Sequence, residues 1–592
     1  MFVMKNKDRA RLVDAAMGRI ACDTSFENAK LVNMFTGEVY AAAVDVLDGV
    51  IVRVREGGRP APVESREVID CGGRYLMPGY IDTHMHVEST MMVPENFGKQ
   101  AILWGTTTAV TDPHEIGNVM GIDGVAFMLD SATRSPLRQY VLAPSCVPSV
   151  PGVEGAGAEF FAPEVADLLD REGVIGVAEI MDYIGVYNND PRMRGIIEEG
   201  LKRGLFLQGH APSVSGDALN AYLCGGPVSC HEISTGEETV EKLRLGMHVN
   251  IRSSSLGDTA RAIVSGIKAL PWLDNVSICT DDVHAADLLK TGHINHVVNV
   301  CIEQGIDPVM ANRFATYNAA REYHFDDLGA IGPGYVADIQ ITDTLTAEKP
   351  PYMVFCEGKL MAKEGKLVDQ EPKMAVCPDV NTVNIPQIKG VEDFRLKAPE
   401  GAADEAEVIV FDAAREVMRP GQPLVYRKLP VKDGYVDISA DEKLTYICVA
   451  NRYGAGDMTV VPAVHFEIEG AVASTISHDS HNMTICYSDP ESALAAAREL
   501  ERVGGGMCVA KDGKVIATLP LPVGGLMSGL PCDTLAKDID RFGEVLFSIN
   551  KVSNDMLLRI AILALPVRPG YIITDRGIVN GDTQKLVPIF KD

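Results

Sequence analysis

Gly79-Tyr80-Ile81-Asp82-Thr83-His84-Met85-His86-Val87-Glu88 is the stretch on which the reading of the chain turns. Its apolar run predicts a β-strand ending in two histidines spaced i and i+2. In an extended chain such side chains point the same way, so both imidazoles can reach one metal ion. A bare His-x-His is also found on the solvated face of ordinary strands. Four further ligand-type residues shift the balance: Glu179, His210, His231 and Asp281 each follow a short apolar run that reads as a later strand. The six together can build a two-metal hydrolytic site.

Around this stretch, residues 76–325 repeat a strand, a polar loop and a helical pattern about every 25 to 35 residues, the signature of βα units on a parallel sheet. Eight strand candidates end near His86, Asp112, Pro148, Glu179, His210, His231, Arg252 and Asp281. Eight such units predict an α/β fold of the (β/α)8 barrel type, with every ligand-type residue at the C-terminal end of a strand, where such barrels carry their chemistry. Residues 1–75 read as a β-layer, with an Asp48-Gly49 turn between alternating apolar runs, and 326–376 return to short strands. A small β-domain split around the barrel is expected. Residues 377–592 form an additional C-terminal α/β domain, whose clearest helix starts at Asp489-Pro490-Glu491 and stops at Gly504-Gly505-Gly506.

Composition limits the partners. A chain of 592 residues exceeds the roughly 250 to 300 that one core supports. The net charge of −27 opposes binding to nucleic acid and to anionic membrane surfaces. No apolar run approaches the roughly 20 residues of a membrane span, and Met1 to Arg9 lack a secretory signal. Thirteen cysteines without a Cys-x-x-Cys pair fit a reducing, cytoplasmic setting.

The chemistry follows from the residue types. His84, His86 and Asp281 would hold one metal, His210 and His231 the other, and Glu179 is placed to bridge them. Glu179 follows the apolar run Val174-Ile175-Gly176-Val177-Ala178, where a carboxylate is costly without a partner. For His210, between a glycine and a turn, a satisfied loop histidine is the lesser alternative to a metal ligand. Asp281 would stand beside the nucleophile, taking its proton and passing it to the leaving group.

The chain resembles the amidohydrolase superfamily and, within it, the adenine deaminases of bacteria and archaea. The resemblance spans nearly the whole chain. It is carried by Pro78 to Ser89, Thr111-Asp112-Pro113-His114-Glu115, Gly209-His210-Ala211-Pro212, Ser229-Cys230-His231-Glu232, Thr280-Asp281-Asp282 and His478-Asp479-Ser480-His481-Asn482. It implies hydrolysis of adenine to hypoxanthine and ammonia at two divalent ions, Mn2+ or Fe2+ with Zn2+ as the alternative, and a glutamate where many relatives carry a carboxylated lysine. Glu179 matches that glutamate. Ring N1 needs a proton during attack on C6, and Glu88 and His114 are the candidates, each with the alternative of orienting a metal ligand.

His478 and His481 lie in a polar run that reads as an exposed loop; folded over the barrel mouth, it would touch substrate or a neighbouring subunit. Barrels of this size often associate, so a homo-oligomer is expected. Arg252 is a further substrate-binding candidate. At Arg252-Ser253-Ser254-Ser255 the chain departs from the Arg-Glu-Gly-Ser of relatives, which takes a carboxylate from the substrate mouth and bears on which base is accepted. Two rival functions remain: a hydrolase of cyclic amides or another amino-purine, and a barrel scaffold without catalysis. Cyclic-amide relatives commonly need a bridging lysine where this chain has Glu179, and a scaffold has no use for six converging ligands.

Overall fold

The computed structural model describes residues 7–255, 257–368, 374–402, 404–414, 421, 423–550 and 556–591. Residues 1–6, which belong to the N-terminal segment considered above, lie outside the described residues. Eight strands form the centre: β1 (Tyr80–Met85), β2 (Thr106–Thr111), β3 (Arg138–Ala143), β4 (Val174–Ile180), β5 (Phe206–Gly209), β6 (Ser229–Cys230), β7 (His248–Arg252) and β8 (Val276–Cys279). β1 to β5 make one parallel sheet and β6 to β8 another, each in sequence order. Two seams close the ring. Val228 N–H donates to Leu207 O at 3.1 Å between β5 and β6. At the other seam Asp281 N–H donates to His84 O at 3.0 Å, and His86 N–H donates to Asp281 O at 3.1 Å.

Every residue of β1, β2 and β4 is buried, as strands of a parallel sheet covered on both faces must be. The third strand stops at Ala143, five residues before the predicted Pro148, because Pro144 has no N–H to extend the ladder.

The N-terminal layer forms through the predicted hairpin. Val39–Leu47 and Val50–Glu56 pair antiparallel across Asp48 and Gly49, both with positive φ (51° and 76°), the turn geometry that matches strand twist. Tyr75–Pro78, just before β1, pairs antiparallel with Ile339–Thr342 from beyond the barrel. One nine-stranded sheet therefore draws on both sides of the barrel.

In the C-terminal region strands and helices mix as expected, but the seven-stranded sheet is largely antiparallel rather than built from βαβ units. Its residues alternate faces with period two. Cys448, Ala450, Ala473 and Ile485 pack against Ala493, Ala497 and Leu500 of the helix Pro490–Val503. Ile447, Val449, Val472 and Val509 share a core with Leu535 and Phe542 of Cys532–Ile549 and with Phe97 and Ile116 of the barrel. Ser492 N–H donates to Asp489 Oδ1 at 2.7 Å at the start of Pro490–Val503, and Gly504 ends it at φ 82°.

This second core sets the C-terminal domain over the C-terminal ends of the barrel strands. Ser528 N–H donates to Met91 O (2.8 Å), Gly155 N–H to Asp575 Oδ1 (2.9 Å) and Asn482 Nδ2–H to Gly155 O (2.7 Å). Among the described residues no helix is long and apolar enough to cross a membrane. Replacing Asn482 with Ala leaves the buried Gly155 carbonyl without that donor, and the expected loss is about 1–3 kcal/mol of stability, read as a lowered unfolding midpoint in calorimetry with metal content unchanged.

Candidate active site

Ring closure brings the six predicted ligands together. Glu179, at the end of β4, is 3% exposed, and its carboxylate meets five imidazoles. His210 Nδ1 is 2.7 Å away, His86 Nε2 3.4 Å, His231 Nε2 3.5 Å, His114 Nδ1 3.7 Å and His84 Nε2 3.8 Å. Asp281 Oδ1 lies 3.2 Å from His86 Nε2 and 3.4 Å from His84 Nε2. Burial alone would neutralise both acids. For Glu179 the charges of His210 and His84 outweigh burial and hold the carboxyl well below its ordinary range. For Asp281 the Arg252 guanidinium, together with His84 and His86, does the same.

Neighbouring groups fix which nitrogen of each leading histidine faces inward. Gln208 Nε2 donates to Thr83 O (3.1 Å) and towards Tyr323 Oη (2.8 Å), so its Oε1 accepts from His84 Nδ1 at 2.8 Å. His84 Nε2 is then the nitrogen turned towards the carboxylates, buried and with no hydrogen-bond partner among the described residues. His86 Nδ1 donates to Asp112 O at 2.9 Å, which likewise leaves Nε2 free as a ligand. A buried pocket in which imidazole nitrogens converge on two carboxylates fits divalent cations, which would take the place of the protons those imidazoles share with the acids. Ligand atoms of His84, His231 and Asp281, and of Glu179, His210 and His231, lie within 4.8 Å of one another.

The ligands open onto a cavity of about 300 Å³. His86, His114, Glu179, His210, His231, Arg252 and Asp281 line it on the barrel side, and His478, Asp479 and the apolar Ile562, Leu565 and Val567 on the C-terminal side. His114 Nδ1 contacts Asp112 Oδ2 at 2.9 Å, and its Nε2 lies 3.3 Å from Asp479 Oδ1. Arg252 is buried and engaged on both sides, its Nη1 contacting Glu232 Oε1 and Asp281 Oδ2. Glu88 stands behind the wall: it accepts from Ile116 N–H (3.2 Å), and burial with the charge of Glu115 pushes its carboxyl up to about 8.

The polar run Ser477 to Asn482 is buried, not the exposed loop its composition suggests. Most of its polar groups find partners inside the molecule: His478 N–H donates to Ala561 O (2.8 Å) and His478 Nδ1 faces Glu115 Oε1 (3.4 Å), whereas Asp479 Oδ2 and His481 Nε2 have no hydrogen-bond partner among the described residues. His481 is fully buried, with Ser477 N–H donating to its Nδ1 (3.2 Å), and does not reach the cavity wall. Sequence reasoning passed over Asp282, Asp479, Glu232 and Gln208. The first three stand inside the motif segments quoted above, which was the available signal; nothing local marks Gln208.

A closed (β/α)8 barrel whose strand ends gather four histidines and two carboxylates round one cavity defines a metal-dependent hydrolase of the amidohydrolase class. The sequence profile of the amidohydrolase family matches residues 75–374, and that of the adenine deaminase C-terminal domain matches 424–585. Adenine deaminase 2 of Carboxydothermus hydrogenoformans is 36% identical over 588 residues, covering 98% of this chain and 99% of its own length. Adenine deaminase 2 of Rhizobium meliloti is 37% identical over 587 residues, covering 98% and 96%. The chain belongs to the adenine deaminase family.

The Gln208 contact generates a test with a readout independent of catalysis. Gln208→Leu removes the acceptor that orients His84, and metal affinity is expected to fall about 10- to 100-fold, measured by elemental analysis after equilibration with a competing chelator. Unchanged affinity would show that His84 needs no such orientation.

Proposed function

We infer that this protein hydrolyses adenine to hypoxanthine and ammonia, recovering the base for purine salvage. The observation that carries the reading is the convergence of His84, His86, Glu179, His210, His231 and Asp281 at one site, all but His84 lining its cavity, in a chain matched over 98% of its length by an adenine deaminase. When bound, a pair of divalent ions supplies a hydroxide-strength nucleophile at neutral pH. Imidazole and carboxylate donors accept Mn2+, Fe2+ and Zn2+ alike; the family resemblance favours Mn2+ or Fe2+. His84, His86 and Asp281 would hold one ion, His210 and His231 the second, with Glu179 between.

The remaining residues handle protons and position. Asp281 takes the proton of the attacking water and delivers it to the departing amine. Arg252, gripping Asp281 Oδ2 and Glu232, holds that carboxylate in place. Of the two groups considered for protonating N1, His114 on the cavity wall is favoured over Glu88 behind it. His478 shapes the substrate end of the cavity, and His481 steadies the loop that carries it. This reading assigns catalysis to 76–325, a supporting β-domain to 1–75 and 326–376, and the roof to 377–592. Thirteen unbridged cysteines support a cytoplasmic setting.

Metal-replete protein is expected to release ammonia from adenine and form hypoxanthine, and Asp281→Asn to slow this about 10²- to 10⁴-fold, with metal content measured on both proteins. Metal bound without adenine turnover would overturn the substrate, and turnover of a cyclic amide or another amino-purine from a panel would replace it. Absence of metal binding would favour a scaffold.

A further inference from the structure

Asp479 presents an unsolved physical problem. It comes from the C-terminal domain, lines the cavity and is 2% exposed. Its Oδ1 is placed 3.3 Å from His114 Nε2, and His114 is held from behind by Asp112 Oδ2. Its Oδ2 is buried and has no hydrogen-bond partner among the described residues. A carboxylate oxygen can only accept, and leaving one buried and unpaired costs heavily unless a donor arrives from the cavity. The neighbouring carboxylates of the cavity supply no donor; a ligand can.

We propose that Asp479 is a specificity residue that accepts a hydrogen bond from the imidazole-ring N–H of a purine, so that the cavity selects the free base over one substituted on that ring. The proposal rests on the reading of the substrate as adenine. Adenine offers two kinds of donor, the exocyclic amine and one N–H of the five-membered ring. The amine belongs at the Glu179 end, where it is replaced. Asp479 lies across a single imidazole from Glu179: His114 Nδ1 is 3.7 Å from Glu179 Oε1, and His114 Nε2 is 3.3 Å from Asp479 Oδ1. A purine lying alongside His114 with its amine towards Glu179 extends its five-membered ring towards Asp479. A sugar or methyl on that ring replaces the donor and leaves Oδ2 buried and unpaired.

The test uses full-length, metal-replete protein and the unreactive product, with binding read by titration calorimetry. Hypoxanthine is compared with 7-methyl- and 9-methylhypoxanthine, neither of which has an N–H on the five-membered ring. Wild type is expected to bind both methylated bases about 10- to 100-fold more weakly. In Asp479→Asn, whose amide can donate to a ring lone pair, that preference is expected to collapse to within about threefold. Equal affinity of wild type for all three bases, or an undiminished preference in the variant, would overturn the proposal. If thermal melting shows that the variant does not fold, the wild-type comparison decides alone: preference sustains the proposal and equal affinity ends it. Wild type that binds neither hypoxanthine nor adenine overturns the adenine reading and this proposal with it, whereas hypoxanthine bound without discrimination overturns the proposal only.

Discussion

The structure is organised around one electrostatic constraint: two carboxylates, Glu179 and Asp281, are ionised in a site almost without solvent. Such a pair is tolerable only among positive charges, and the nearest are imidazoles, a guanidinium and the divalent ions these groups suit. Glu179 reaches five histidines within 3.8 Å only because β1, β2, β5 and β6 all end around it. Asp281 joins them through the seam that closes the barrel, where its backbone bonds to His84 and His86. The bonds that close the fold and the bonds that assemble the site are, at that seam, the same bonds.

Beneath the ligands, the barrel interior is polar, and its polarity serves the site. Gln208, Thr83 and Tyr323 form a network whose only open acceptor faces His84 Nδ1. Such a network specifies a ring orientation that an apolar core could not, because a misplaced amide would leave buried groups unpaired. Above the ligands, the C-terminal domain completes the cavity. Its sheet is apolar on both faces, one packed on the helix Pro490–Val503 and the other against the barrel and the helix Cys532–Ile549. That packing carries His478 and Asp479 to the mouth and turns an open barrel end into a partly covered cavity.

The serines that follow Arg252 take on a different meaning in this setting. Ser255 N–H donates to Asp282 O (2.8 Å), Ser255 Oγ binds Asp287 Oδ2 (2.6 Å), and His284 N–H donates to Ser255 Oγ (3.0 Å). Ser255 ties the β7 loop to the β8 loop, Ser254 bonds back to Gly257 within its own loop, Ser253 Oγ faces His296 Nε2 (3.4 Å), and none of the three lines the cavity. The carboxylate beside Arg252 comes from Glu232, after β6. A missing glutamate on one strand therefore leaves the mouth with its acidic partner, and Arg252 remains neutralised rather than free to hold a phosphate. A compact, uncharged base suits such a chamber better than a nucleotide.

Much of this protein was legible in one dimension. The period-two placement of His84 and His86, the recurrence of a strand ending in a ligand-type residue, and the Asp-Gly turn are local, because strand geometry and turn sterics act over a few residues. Those features determined the barrel, the split β-layer and all six ligand-type residues at the site. What the chain could not express locally is which polar residues are buried. Ser477 to Asn482 has the composition of a surface loop and is enclosed because two distant domains meet over it. Gln208 is one more strand residue until Tyr323, 115 positions away, fixes its amide. Burial and hydrogen-bond partnership at such positions arise from contacts between segments hundreds of residues apart, and only the closed tertiary structure decides them.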